Sequence, residues 1–226
     1  FSSVSSICLT KGCEGPSDAN ENEVIQAIKQ MDHIAQWQRI AELGNPGSSL
    51  PSNAISVELM EEESDMPIFA GIDGYRFAYD HNEGKDGQPA FRIRLTNRSN
   101  QRLYCGLMYL NTDFSIMTNL IGNSGGLFLD PGAQVWVRNG IVMRLGVSDN
   151  FAKVGRRELS ETFKVVFGHK EFNMGLLSMK SLGEPQSKSV GSGKMNMRSL
   201  IFDSGPVGNF DDWNANDVSV QIVRRN

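Results

Sequence analysis

Apolar and polar residues alternate with a period of two through Phe91-Arg92-Ile93-Arg94-Leu95-Thr96, the signature of a strand with one buried face. Asn97, Arg98, Ser99 and Asn100 follow as turn formers. Beyond them Leu103, Cys105, Leu107 and Tyr109 share one face, and Tyr104, Met108 and Leu110 the other. A strand that is apolar on both faces lies inside a sheet and is covered twice. The segment from Phe91 to Asn111 therefore reads as an antiparallel hairpin at the heart of a β-sandwich.

The same period marks Ile55–Leu59, then Tyr75, Phe77 and Tyr79, and later Phe163, Val165 and Phe167. Shorter strands are expected at Phe114–Thr118, Leu127–Leu129, Val135–Val137 and Ile141–Val147. A short helix is expected within 148–160, and another at Glu171–Met179. Val218, Val220 and Ile222 alternate with polar neighbours near the end. A strand that returns after a long excursion suits a sandwich, where non-local pairing is normal.

A helical period replaces the alternation between Asn20 and Leu43. Asn20 and Glu23 stand in capping-box spacing. Val24, Ala27, Ile28, Met31, Ile34, Ala35 and Ala41 form an apolar stripe that Trp37 and Ile40 widen, with Lys29, Gln36 and Glu42 opposite. Gly44, Asn45 and Pro46 end the helix. This stripe must lie on the sandwich or on a partner domain.

These elements predict a mainly β fold: an antiparallel Ig-like β-sandwich with an N-terminal α-helix. Residues 1–19 read as a linker or tail from an upstream domain, 20–46 as the helix and 52–180 as the sandwich. Residues 181–210, rich in Gly, Ser, Lys and Pro, read as a mobile loop, and 211–226 as the closing strand.

Composition narrows the function. The chain has 226 residues, is 39% hydrophobic and carries a formal net charge of −4. A nucleic-acid binder or a protein held on an anionic membrane needs a basic face, so neither partner is expected. No apolar run approaches the length of a bilayer span. The chain opens on Phe1, which suggests a fragment or processed product. Of the three cysteines, Cys105 lies in an apolar strand, where a thiol acts as a small hydrophobe. Cys8 and Cys13 are spaced for a short disulfide loop or stand as free thiols. An intracellular, cytoplasmic setting is the expectation from so few cysteines.

No stretch presents a complete reactive constellation. Gly122-Asn123-Ser124-Gly125-Gly126 resembles the loop around a trypsin-like nucleophile, so a serine hydrolase using Ser124 is one alternative. Its base would have to come from His33 or His81, and Asn123 stands where that family has Asp. Asp80–Gly87 offers oxygen ligands without EF-hand spacing, and His33, His81 and His169 are too scattered for zinc. Glu61, Glu62, Glu63 and Asp65 read as a solvated acidic loop. No phosphate-loop Lys-Ser/Thr ending is present. Catalytic residues, cofactors and metals are therefore all expected to be none. A second alternative is a sugar- or peptide-binding sandwich using Tyr75, Tyr79, Trp136 or Trp213.

Several motifs together resemble one family. His33-Ile34-Ala35-Gln36-Trp37 running to Leu43-Gly44-Asn45-Pro46, Gln88-Pro89-Ala90-Phe91 through Asn97, Leu103-Tyr104-Cys105-Gly106-Leu107 and Leu129-Asp130-Pro131-Gly132 come first. Glu161–Phe167, Glu171-Phe172-Asn173 and Asp211-Asp212-Trp213 follow in order. This series is similar to the C-terminal accessory region of bacterial caspase-like (metacaspase-like) cysteine peptidases. The likeness covers residues 27–224, with gaps at 60–73 and 183–208. It implies a parent whose cysteine–histidine dyad lies in an upstream peptidase domain, with this region as its non-catalytic docking, regulatory or target-recruiting partner. No catalytic residue is carried over onto this chain, and Cys105 belongs to the accessory pattern.

Overall fold

The chain is seen in a computed structural model that describes residues 21–72, 74–80, 87–122, 125–183 and 212–225. Helix α1 (Glu21–Ala41) leads into β1 (Ile55–Glu61), β2 (Tyr75–Asp80), β3 (Ala90–Asn97) and β4 (Leu103–Leu110). Short strands β5 (Ile116–Met117), β6 (Gly126–Leu129), β7 (Gln134–Trp136) and β8 (Met143–Arg144) follow. A short helix, α2 (Asp149–Lys153), precedes the long strands β9 (Glu158–Gly168) and β10 (Trp213–Arg225).

Two sheets face each other. The smaller runs β1-β3-β7, with β8 also on β3; the larger runs β2-β10-β9-β4-β5, with β6 also on β4. Every pair of strands is antiparallel except β2 and β10, which run parallel. The architecture is the mainly β, Ig-like sandwich that the alternation predicts.

The core forms because the inner rows meet. Phe91, Ile93 and Leu95 of β3 lie in one buried cluster with Leu103, Cys105, Leu107 and Tyr109 of β4 and Phe163, Val165 and Phe167 of β9. Phe91 meets Phe163 edge-on across the sandwich at 6.4 Å, and Phe163 stacks on Tyr109 at 4.7 Å within the larger sheet. The other row of β4, Tyr104, Met108 and Leu110, belongs to a second buried cluster on the outer side. β4 is thus covered twice, as its two apolar faces require.

The expected hairpin is corrected. β3 and β4 do not pair; β3 pairs with β1, β7 and β8, and β4 with β9, β5 and β6. Residues 98–102 carry the chain from one sheet to the other. Side by side in a hairpin, the two inner rows would still need a cover; placed face to face, they cover each other. Asn97 makes the corner. Its side chain is fully buried and donates to the carbonyls of Gln101 at 2.8 Å and Leu129 at 2.9 Å. Its Oδ1 accepts from the Ser99 backbone at 3.0 Å and from Ser99 Oγ at 2.7 Å.

Local expectations shrink where tertiary contacts take over. The strand expected at Phe114–Thr118 is only Ile116–Met117, because Phe114 turns into the left-handed region at φ 64°. Val135–Val137 stops at Trp136, and a 3-10 turn, Val137–Gly140, separates it from Met143–Arg144, all that pairs of Ile141–Val147. The helix expected within 148–160 is α2, and β9 already begins at Glu158. At Glu171–Met179 there is a 3-10 turn over Met174–Leu177. It lies over Gly106 of β4, where any Cβ would collide with the Met174 side chain. The acidic run is tethered rather than free: Glu62 pairs with Arg144, and Asp65 with Arg92 at 2.9 Å. Residues 1–19 with Cys8 and Cys13, most of 181–210, and residues 81–86 lie outside the described residues.

Candidate functional site

The outer face of the larger sheet is a seat for α1. Tyr104, Met108 and Leu110 of β4, Val166 of β9 and Phe172, Met174, Leu177 and Met179 form an apolar layer there. Ile40 enters it, with Trp37, Ala41 and Leu43 at its margin. Polar groups fix the position. Trp37 Nε1 donates to the Ser115 carbonyl at 3.4 Å, His33 Nε2 lies 2.9 Å from the Phe114 carbonyl, and the Trp37 and Phe114 rings meet edge-on at 5.5 Å.

Lys164 anchors the C-terminal end. Its ammonium donates to the Leu43 carbonyl at 2.8 Å and pairs with Asp217 at 2.8 Å, and its side chain is almost wholly buried. A cation suits that place, because the last carbonyls of a helix and its exit lack intrahelical donors. Beyond it, Asn45 Nδ2 donates to the Trp213 carbonyl at 3.0 Å, and Asp212 accepts from Ser48 Oγ, from the Ser49 backbone at 2.9 Å and from Ser49 Oγ. Partial burial works against ionisation of Asp212, but these bonds and the His169 charge hold its carboxyl below the usual range. Lys164→Ala is expected to lower stability by about 2 kcal/mol, the lost ion-assisted bonds plus the buried stem. Denaturant unfolding checks this; a change within experimental scatter would mean that the apolar layer and the other polar bonds hold α1 without Lys164.

The seat is not built from the stripe that the helical pattern singles out. On a helix of 3.6 residues per turn, His33, Trp37 and Ile40 fall on one side and Val24, Ile28 and Met31 on the opposite side. The first set contacts the sandwich. The second is open to solvent: Ile28 is 61% and Met31 70% exposed, and Val24 and Ile25 are exposed beside them. α1 therefore has two apolar sides, of which the sandwich covers one.

The other sequence candidates are dispersed. Cys105 is fully buried in the inner row of β4, and burial pushes its thiol up to about 12, far from a thiolate nucleophile. Tyr75 and Tyr79 are core residues. Tyr75 Oη accepts from the Leu59 backbone at 3.4 Å, and Tyr79 Oη accepts from the Val147 backbone at 2.9 Å. Trp136 lies on the smaller sheet under the guanidinium of Arg92 at 4.6 Å, and half-buried Trp213 is packed against the α1 seat. The four aromatics expected to share a sugar- or peptide-binding surface are thus in separate places, two of them buried. Ser124 and His81 lie outside the described residues. Among the described residues no group of three or more His, Cys, Asp or Glu is placed to hold a metal, and no helix is long and apolar enough to cross a membrane.

One polar feature escapes the sequence reading. The inner row of β9 runs Leu159, Glu161, Phe163, Val165, Phe167 and so turns a carboxylate inward, 6% exposed. Its oxygens accept from the Thr112 backbone at 3.2 Å and from Thr112 Oγ1 at 3.0 Å, with the Tyr109 hydroxyl beside them. Burial pushes Glu161 up to about 7, with the Asp113 charge adding to it and the Thr112 and Tyr109 bonds opposing. The signal for it is present in the sequence: a charge standing in an otherwise apolar inward row.

No family model matches the chain, and no curated protein matches it. Among solved structures it is similar to the YadV chaperone, at 11% identity and a TM-score of 0.32, covering 76% of this chain and 53% of that one. It is also similar to a structure of the Salmonella enterica SafA pilin in complex with the SafB chaperone, at 11% identity and a TM-score of 0.31, covering 75% and 54%. A third likeness is to the ASH / PapD-like domain of human CEP192, at 8% identity and a TM-score of 0.29, covering 81% and 92%. The chain thus spans about half the length of the first two structures it resembles.

Proposed function

We propose that this sandwich is a non-catalytic protein-binding module, the accessory domain of a bacterial caspase-like cysteine peptidase, which docks on the peptidase domain through the outward side of α1. The observation that carries the docking is the second apolar side of that helix, Val24, Ile28 and Met31, opposite the side already seated on the sandwich, with exposed Ile25 on its flank. A contiguous exposed apolar strip on a folded domain marks a surface that is covered in use. The choice of occupant rests on the ordered series of motifs shared with the accessory region of those peptidases.

The module then works as a positioner. Its helix is held at its C-terminal end by Lys164, Trp37 and Ile40 and presents its free side to the peptidase domain. The test is co-expression with the peptidase domain that this reading places upstream, followed by size-exclusion chromatography. Co-elution is expected. Ile28→Asp combined with Met31→Asp is expected to abolish it while leaving the unfolding midpoint of the isolated chain in place, because exposed positions shift stability by only about 0.5 kcal/mol. Separate elution of the wild-type proteins, or co-elution undiminished in the double variant, overturns the reading.

A further inference from the structure

A cavity of about 250 Å³ opens between the two sheets at the end of the sandwich where β4 runs out. Its rim at Thr112 and Asp113 adjoins the Phe114–Ser115 turn that meets α1, and it does not depend on the docking reading, which concerns the outward side of the helix. Glu161 forms part of its lining, with Tyr109 beside it. Leu145, Phe151, Leu159 and Ile222 supply apolar wall, and Asp113 is also in the lining, close enough for its charge to act on Glu161.

The chemistry of the cavity is one-sided. An ionised carboxylate offers about four acceptor directions. The Thr112 backbone, Thr112 Oγ1 and the Tyr109 hydroxyl use three of those on Glu161. Asp113 is taken up by Ser115 and Ser181 and adds a second negative charge near the first. Among the described residues, the positive groups around the cavity are committed elsewhere. Arg144, in the lining, is paired with Glu62, and Arg224, two residues from Ile222 on the same row of β10, is paired with Asp149 at 2.7 Å. A buried carboxylate without a cation is an unfavourable arrangement that an incoming cation relieves.

Size and walls decide which cation. The volume is below that of a pocket for a drug-sized ligand and suits a single side chain. Two carboxylates fall short of the oxygen cage that a hard metal ion needs. A flexible alkyl stem ending in an ammonium matches an apolar wall that leads to a carboxylate. We propose that this cavity binds a primary alkylammonium group, with its methylenes along Leu145, Phe151, Leu159 and Ile222 and its nitrogen on Glu161. A lysine side chain of a protein and a free aliphatic amine share this chemistry.

The experiment is a two-dimensional NMR titration of the whole chain, at a pH above the ionisation of Glu161. The probes are Nα-acetyl-lysine-N-methylamide, its Nε-acetylated form, butylammonium chloride and potassium chloride. Saturable shifts at the Thr112 amide and the Leu145 methyls are expected with the lysine amide, and none with the acetylated form or with potassium. Tighter binding of the lysine amide than of butylammonium places the natural source in a protein; the reverse places it in a free amine. Glu161→Gln, which keeps the shape and removes the charge, is expected to weaken binding by about tenfold or more, the usual worth of one charge-assisted bond. Asp113→Asn is expected to weaken it less. Absence of saturable shifts in the wild type, equal shifts with potassium, or undiminished binding by Glu161→Gln overturns the proposal.

Discussion

Asn97→Ala lowers the unfolding free energy by about 3 kcal/mol, measured by urea denaturation, because the buried Leu129 carbonyl and the part-buried Gln101 carbonyl lose their donors at once and a fully buried side chain is truncated. A buried polar group left without its partner costs about 1–3 kcal/mol. Asn97 serves the Gln101 and Leu129 carbonyls with its amide and the Ser99 backbone with its Oδ1. Leu129 ends β6, in the larger sheet, whereas Asn97 ends β3, in the smaller. The side chain therefore joins the sheets at the point where the chain crosses between them. Its own backbone closes the same corner, donating to the Ala133 carbonyl at 3.0 Å and accepting from the Gly132 amide at 2.9 Å. Asn97→Asp is expected to do comparable harm, since a carboxylate has no donor for either carbonyl. A loss below about 1 kcal/mol for Asn97→Ala would mean that the crossover is held by backbone bonds alone, since one ordinary bond is worth that much.

Glu161→Gln has the opposite sign. The folded chain pushes Glu161 from the ordinary 4.5 up to about 7, so the native state prefers the protonated carboxyl. Stability from this group is complete below the ordinary value and is lost as pH rises through about 7. Between those two points the wild type forfeits about 3 kcal/mol, at roughly 1.4 kcal/mol per unit. Glutamine does not titrate, yet it accepts from Thr112 as the acid does. The variant is expected to match the wild type in acid and to exceed its stability by about 3 kcal/mol above neutrality. Denaturant midpoints across this range read the difference directly; parallel pH profiles for the two proteins would refute the burial of an ionising Glu161. The same substitution is expected to weaken ammonium binding, so stability and binding pull apart at one residue.

Much of the fold is legible in local pattern. The double-faced apolar run of β4 places that strand under two layers and Cys105 in the core. The alternations at Ile55–Leu59, Tyr75–Tyr79, Phe163–Phe167 and Val218–Ile222 locate four more strands, and the 3.6-residue period locates α1. Each of these follows from a periodicity that a single element imposes on its own residues. Less of the candidate site is legible. The apolar residues of α1 are visible, but the pattern joins both sides of the helix into one broad stripe.

The sequence by itself determined which residues want to be inside, and hence the number and kind of long elements. Only the tertiary structure decided which apolar surfaces cover which. The rows of β3 and β4 are equally served, in local terms, by a hairpin or by a crossover; the corner at Asn97 and the pairing of each strand with distant partners select the crossover. On α1, Lys164 and the layer around Met108 and Val166 select the Trp37–Ile40 side and leave Ile28 and Met31 outside. At Glu161 the sheet turns a charge inward because β9 keeps its register with β10 and β4 on either side, and shifting it by one residue would take the whole row from Leu159 to Phe167 out of the inner core and onto the outer face. In each case the choice lies in contacts between residues far apart in the chain, which no local period records.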